Sequence, residues 1–193
     1  MGEVSEEIKF YLLHLVLTLF LVPCRIVSDK IGKSRTYALG LLIACVAMLV
    51  SFFLPPYPSV VIYIIAVVAG IGFSSQWVCP HSMLPDVIEY DELVSGERRE
   101  GLYYGMIAMI TKITGALGSA MVGWNLALFG YVENAKQTTT ALLGIRISYA
   151  MIPAVLLLIC IPLLLRYPIT RQSHAEIVKQ LEEKRKETGI KTM

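Results

Sequence analysis

Charge is scarce in this sequence. Asp, Glu, Lys and Arg make up only 17% of its 193 residues, 55% are hydrophobic, and the mean hydropathy is +0.63. Soluble domains carry about 25% charged residues, so an ordinary water-soluble fold is excluded. Residues 36–85 hold no formal charge, and residues 101–132 hold only Lys112. No acidic residue lies deep inside any apolar run. The four cysteines, Cys24, Cys45, Cys79 and Cys160, occupy apolar positions without ligand-like spacing, and His14, His81 and His174 are scattered, which argues against a zinc site or a disulfide framework. Phosphate-binding loops, serine elbows and kinase signatures are missing, so no catalytic constellation supports an enzyme and no cofactor is implied. The net charge of +2 is split between loops and tail and forms no basic face, which gives no indication of nucleic-acid binding.

What is there is length of apolar chain. Five runs have the composition of membrane spans, at about 10–24, 36–54, 59–82, 102–129 and 143–165, the second and third divided by Pro55-Pro56-Tyr57-Pro58. Inside lipid every backbone amide must be satisfied within its segment, so runs this long and unbroken are helical. The expected fold is all-α: a polytopic membrane helical bundle over residues 1–169, followed by a partly helical tail over 170–193. Pro80, Pro153 and Pro162 predict kinks or local unwinding within spans. Two stripes of small residues, Ala66/Gly70/Ser74 and Gly115/Ser119/Gly123, predict close helix approach.

Lys and Arg favour one side of the membrane. Arg25, Lys30, Lys33 and Arg35 follow the first run, Arg98 and Arg99 lie in the third connection, and the tail from Arg166 is basic, whereas the alternate connections hold only Lys9, Lys136 and Arg146. The positive-inside rule then places these basic segments and the C-terminus in the cytoplasm of a multi-pass protein, with the plasma membrane the expected location. The start is acidic, unlike a signal peptide, and Glu6 breaks the myristoylation pattern. Five spans would leave the N-terminus outside, so the chain reads as part of a longer protein or of an assembly.

Two groups of residues carry possible chemistry. Lys112 is the first, because a lysine at mid-bilayer costs roughly 2.5–3.5 kcal/mol and is usually retained facing a water-filled or protein-lined cavity; snorkelling to an interface is the bland alternative. The second is the stretch 82–101, the densest in charge, where Asp86, Glu89 and Glu92 share a helical face between Pro85 and Gly96. Arg98 and Arg99, or the basic loop from Arg25, are the expected partners, in ion pairs that hold a bundle shut on one side; an ordinary solvated loop is the alternative. In the tail, Ser173-His174-Ala175-Glu176 matches a capping box, and Ile177 and Leu181 form a sparse apolar stripe, predicting a short helix.

These residues resemble a known family. The Asp29-Lys30-Ile31-Gly32-Lys33 turn, Trp77 ahead of Met83-Leu84-Pro85-Asp86, the Gly96-to-Gly101 turn, Lys112, the run Gly130-Tyr131-Val132-Glu133-Asn134-Ala135-Lys136-Gln137, and Ala141-Leu142-Leu143-Gly144-Ile145 together are similar to the C-terminal half of the major facilitator superfamily. Within it they resemble the glycoside-pentoside-hexuronide cation symporters, which include the melibiose carrier and the sodium-dependent lysolipid symporters. The resemblance implies that the five spans match helices eight to twelve of a twelve-helix carrier, that the N-terminal half is missing from this chain, and that the function is Na⁺- or H⁺-coupled symport of a sugar or glycoside. It implies Lys112, Trp77, Gln76 and Thr111 as cavity residues, and Asp86, Glu89, Glu92, Arg98, Arg99, Asp29 and Arg25 as ion pairs of a cytoplasmic gate. Symport of a lysolipid or other amphiphile is the alternative within the family. A non-transporting half-carrier that persists as a membrane scaffold is the alternative outside it. The implied partners are the bilayer, a small solute and the N-terminal half of the carrier.

Overall fold

A computed structural model of the protein describes residues 23–54 and 60–187. The first expected span and the Pro55–Pro58 turn lie almost wholly outside these residues. All regular elements among the described residues are helices: α1 (23–31), α2 (Lys33–Phe52), α3 (Val60–Ser95), α4 (Glu100–Leu128), α5 (Thr139–Arg146), a π-helical turn (Ile147–Met151), α6 (Ile152–Leu165) and α7 (Arg171–Glu187). Among the described residues four segments are long and apolar enough to cross a membrane: Lys33–Phe52, Ile64–Ser95, Glu100–Leu128 and Thr139–Leu165.

The chain divides into two compact units. The first takes residues up to Cys79 together with Asn125–Arg166. Here α1 meets α2 at Gly32, whose φ of +95° lies where L-residues with a Cβ are strained, which explains a glycine in the Asp29–Lys33 turn. Helices α2 and α6 run antiparallel, as three contacts show: the Ser34 hydroxyl donates to the Leu164 carbonyl, Cys45 Sγ lies 3.6 Å from the Ala154 carbonyl, and Arg146 Nη1 reaches the Phe52 carbonyl at 3.5 Å. Between them Cys45, Met48 and Ala154 form a small core with Leu49, Phe73 and Leu157 against it.

Helices α2 and α3 meet through backbone. A Cβ on Gly72 would fall 2.6 Å from the Ala44 nitrogen, and one on Gly40 would fall 2.0 Å from Ser75 Oγ. The expected packing stripes are met only in part: Ser74 is buried, whereas a Cβ on Gly70, Gly115 or Gly123 meets nothing within 4 Å among the described residues. Spacing alone marks any face rich in small residues, and the face in contact is the one that holds Gly40 and Gly72.

The expected prolines act differently from one another. Helix α3 continues through Pro80 and Pro85 to Ser95, so the acidic stretch is the end of the span and not a separate helix. At about 1.5 Å per residue, residues 60–85 already exceed the roughly 30 Å hydrocarbon core, which leaves Asp86 and its successors at the membrane boundary. Ahead of Pro153 the chain widens into the π turn, with Ile152 N donating to the Ile147 carbonyl five residues back.

The second unit holds Pro80–Trp124 and the tail from Tyr167. Helix α4 has no buried residue, whereas Met83 and Ile88 of α3 and Ile177 and Leu181 of α7 are buried. Thr170, not Ser173, begins α7: its Oγ1 accepts from Ser173 N at 3.2 Å while Ser173 Oγ accepts from Thr170 N at 2.8 Å. The reciprocal cap lies three residues ahead of the expected one, and Ser173 fills the position that Glu or Gln takes in the usual box.

Candidate functional site

The final turns of α3 gather the charge of the second unit. Ser95 and Gly96 close the helix: Ser95 Oγ donates to the Asp91 carbonyl at 2.8 Å, Gly96 N donates to the Glu92 carbonyl at 2.9 Å, and Gly96 has a φ of +78°. This left-handed glycine turns the chain back toward α4 and brings two arginines over the helix they follow.

Arg99 binds Asp91 in a two-point fork, Nη2 to Oδ1 at 2.8 Å and Nε to Oδ2 at 3.1 Å. Arg98 divides its guanidinium, with Nε donating to Glu100 Oε1 at 2.8 Å and Nη1 reaching Glu92 Oε2 at 3.4 Å. Hydrogen bonds to Glu100 and to Asp91 raise the Arg98 and Arg99 pKa values above the ordinary arginine range, so both are cations at any physiological pH.

Three further groups come from the tail. His174 Nε2 donates to Glu89 Oε2 at 2.6 Å and lies 3.3 Å from Asp86 Oδ1; a carboxylate accepts only, so Nε2 carries a proton. Arg185 Nη2 donates to Glu92 Oε1 at 2.6 Å, and Lys184 Nζ donates to the Leu93 carbonyl, in the last turn of α3, at 2.9 Å. Asp86 is 5% exposed, the most buried carboxylate in the set. Burial first, and the Asp86 charge second, push the Tyr167 phenol up to about 12. Its hydroxyl is buried without a hydrogen-bond partner among the described residues.

The structure therefore brings Glu92 to Arg98 as expected, while Arg99 takes Asp91, and His174 stands between Asp86 and Glu89. Asp91, His174, Arg185 and Tyr167 were missed by sequence reasoning. Asp91 stands among the acidic residues already singled out and had a local signal in its closeness to the Arg98-Arg99 pair. The tail residues had none, because their partners are more than eighty positions away. Arg25 and Asp29 are exposed on α1, in the other unit.

The expected cavity residues are also placed. Gln76 is half-buried and Trp77 is 71% exposed on α3 in the first unit. Thr111 and Lys112 are exposed on α4 in the second. Thr111 Oγ1 donates to the Ile107 carbonyl of its own helix at 2.8 Å, and Lys112 makes no hydrogen bond or ion pair among the described residues. Among the described residues no group of three or more His, Cys, Asp or Glu could hold a metal ion.

The most distinctive sequence segments serve a joint between α4 and α5. Gln137 folds its amide onto the connection, donating to the Val132 carbonyl at 2.5 Å and the Ala135 carbonyl at 2.8 Å. Asn125 of α4 donates to the Gly144 carbonyl at 2.8 Å and to Ser148 Oγ at 2.7 Å, and a Cβ on Gly144 would fall 2.5 Å from Phe129 Cβ.

Four membrane-length helices among the described residues, apolar side chains exposed along their lengths and charge collected at a helix end define an integral, multi-pass membrane protein. The chain belongs to the MFS/sugar transport protein family, whose model matches residues 7–171. It is therefore a protein of a transporter family and not an enzyme. It is 34% identical over 169 residues to an uncharacterized symporter of Synechocystis, covering 84% of this chain and 31% of that protein. To the glucuronide carrier protein homolog of Escherichia coli it is 29% identical, covering 81% and 34%. To the sodium-dependent lysophosphatidylcholine symporter 1 of Gallus gallus it is 28% identical, covering 83% and 31%. The chain spans about a third of the length of these relatives.

Proposed function

We propose that the chain contributes part of a cation-coupled symporter for a sugar or glycoside, working by alternating access with Na⁺ or H⁺ as the coupling ion. The observation that carries this reading is Lys112, the lone charge of residues 101–132, exposed on a membrane-length helix and unpaired among the described residues. An ammonium at that depth is retained where it meets a carboxylate, an ion or a solute in a wet cavity. The rest of the carrier supplies that cavity's opposite wall, and Thr111, beside Lys112 on α4, is available to a polar ring; Trp77 and Gln76 are proposed as solute contacts of the first unit, taken by itself. The ion pairs around Asp86, Glu89, Glu92, Arg98 and Arg99 close one end of the carrier, and the Lys and Arg bias of the connections supports the cytoplasmic end.

The test is solute uptake into vesicles by the complete carrier under an imposed Na⁺ or H⁺ gradient. Lys112→Ala is expected to lower transport at least tenfold at matched membrane levels, and Lys112→Arg to retain more, since it keeps the charge and changes its shape. Wild-type transport with unchanged ion dependence in Lys112→Ala returns Lys112 to an interfacial anchor. The similarity to a lysophosphatidylcholine symporter favours one other substrate class, so a lysolipid belongs beside the glycosides in the assay; uptake of the lysolipid alone replaces the sugar reading.

A further inference from the structure

We propose that α7 is a latch on the acidic end of α3, and that Arg185 of the tail and Arg98 of the α3–α4 turn compete for Glu92 to set its hold. The inference adds a regulator to the gate of the proposed transporter, and its gating role rests on that reading.

Helix α7 has little to hold it in isolation. It has 17 residues, and the only described apolar ones that are buried are Ile177 and Leu181; a helix of this length and polarity is marginal in water without a packing surface. Its order therefore depends on what it docks against, and that is α3. His174 engages Asp86 and Glu89 near the start of α7, while Lys184 and Arg185 engage the Leu93 carbonyl and Glu92 near its end. The contacts span the helix, so α7 is held at two points.

Glu92 is the shared element. Its side chain is 12% exposed, its Oε1 accepts from Arg185 at 2.6 Å, and its Oε2 faces Arg98 at 3.4 Å. Arg98 is drawn away by Glu100, which takes its Nε at 2.8 Å. Two guanidinium groups on one carboxylate repel each other, so a gain in either pair weakens its rival, and the coupling is reciprocal. In the docked state the tail holds the stronger share and the α3–α4 turn the weaker. Release of α7 transfers Glu92 to Arg98 and tightens the turn that leads into α4, the helix carrying Lys112.

Amide hydrogen exchange on the whole 193-residue chain in lipid nanodiscs tests the competition without any solute or ion gradient, so its outcome is independent of whether the chain transports. Arg185→Glu is expected to speed exchange across residues 171–187 by about threefold to tenfold, the scale of one partly exposed ion pair in a local opening. Arg98→Ala is expected to slow exchange there, because Arg185 then has Glu92 to itself. Unchanged protection of α2 in both variants certifies that the fold is intact. Opposite shifts support the latch; exchange in 171–187 that stays at the wild-type rate in either variant, or that rises in both, overturns it.

Discussion

His174 and Glu89 lie 85 positions apart in sequence and 2.6 Å apart in space. The imidazole joins the tail helix to the boundary end of a membrane helix, and it stands within 3.3 Å of the more deeply buried Asp86. Replacement by alanine removes the shared donor from two carboxylates one helical turn apart, leaving like charges facing each other. His174→Ala is expected to destabilise the second unit by about 1 kcal/mol, a value kept low because His174 and Glu89 are each more than a quarter exposed. Thermal unfolding in detergent followed by circular dichroism checks it, and an unchanged midpoint would show the contact to be energetically neutral.

The close approach of α2 and α3 makes a sharper prediction. Gly72→Ala forces a methyl group to within 2.6 Å of the Ala44 backbone nitrogen, so the helices must separate, at a cost of about 1–3 kcal/mol. Gly70→Ala, two positions earlier in the same helix, meets open space and should be neutral or slightly stabilising, since alanine is the better helix former. Side-by-side melting curves decide the matter; equal loss in both variants would mean that helix propensity and not packing controls this site.

Asn125 donates twice, to Gly144 and Ser148, and so ties α4 to the start of the next span. Asn125→Ala is expected to cost about 1–2 kcal/mol through the lost bonds. Asn125→Asp should cost more, because a carboxylate presents an acceptor to the Gly144 carbonyl, which also only accepts. If Asp proves the milder of the two changes, the amide is not acting as a donor.

Tyr167 gives a pH signature. Its folded-state pKa is raised from 10.0 to about 12 by burial and by Asp86. A raised value means that the folded state holds the proton more tightly, so the associated stability is complete below about pH 10 and is lost as pH rises toward 12. The ultraviolet difference titration between wild type and Tyr167→Phe is expected to have its midpoint near 12; a midpoint near 10 would mean a solvated hydroxyl. Because that hydroxyl is buried without a partner among the described residues, Tyr167→Phe should not destabilise the protein at pH 7.

The helical class was legible because lipid leaves the backbone few options, and long charge-free runs could be nothing else. The π turn before Pro153 was legible too, as local unwinding, since proline removes an amide from the ladder. At Pro80 and Pro85 α3 runs on, so the acidic stretch expected as a separate short helix is continuous with the span. Thr170 displaced Ser173 as the cap because the two hydroxyls each accept from the other residue's amide, which makes Ser173 the third residue of the box and not its first.

By itself the sequence determined the solvent of each segment, the helices that follow from it, the family, and that acidic residues at the end of α3 meet Arg98 and Arg99 across a short turn, though not that Asp91 is the partner of Arg99. All of these depend on composition or on neighbours within a few positions. Only the tertiary structure decided that Gly40 and Gly72, and not Gly70 or Gly115, bring helices together, and that His174, Lys184 and Arg185 come back to α3. In a membrane both the buried and the lipid-facing sides of a helix are apolar, so hydrophobic pattern cannot tell one from the other. An ion pair between residues more than eighty positions apart leaves no periodic trace, because it exists only once the intervening helices have returned the chain to the same place.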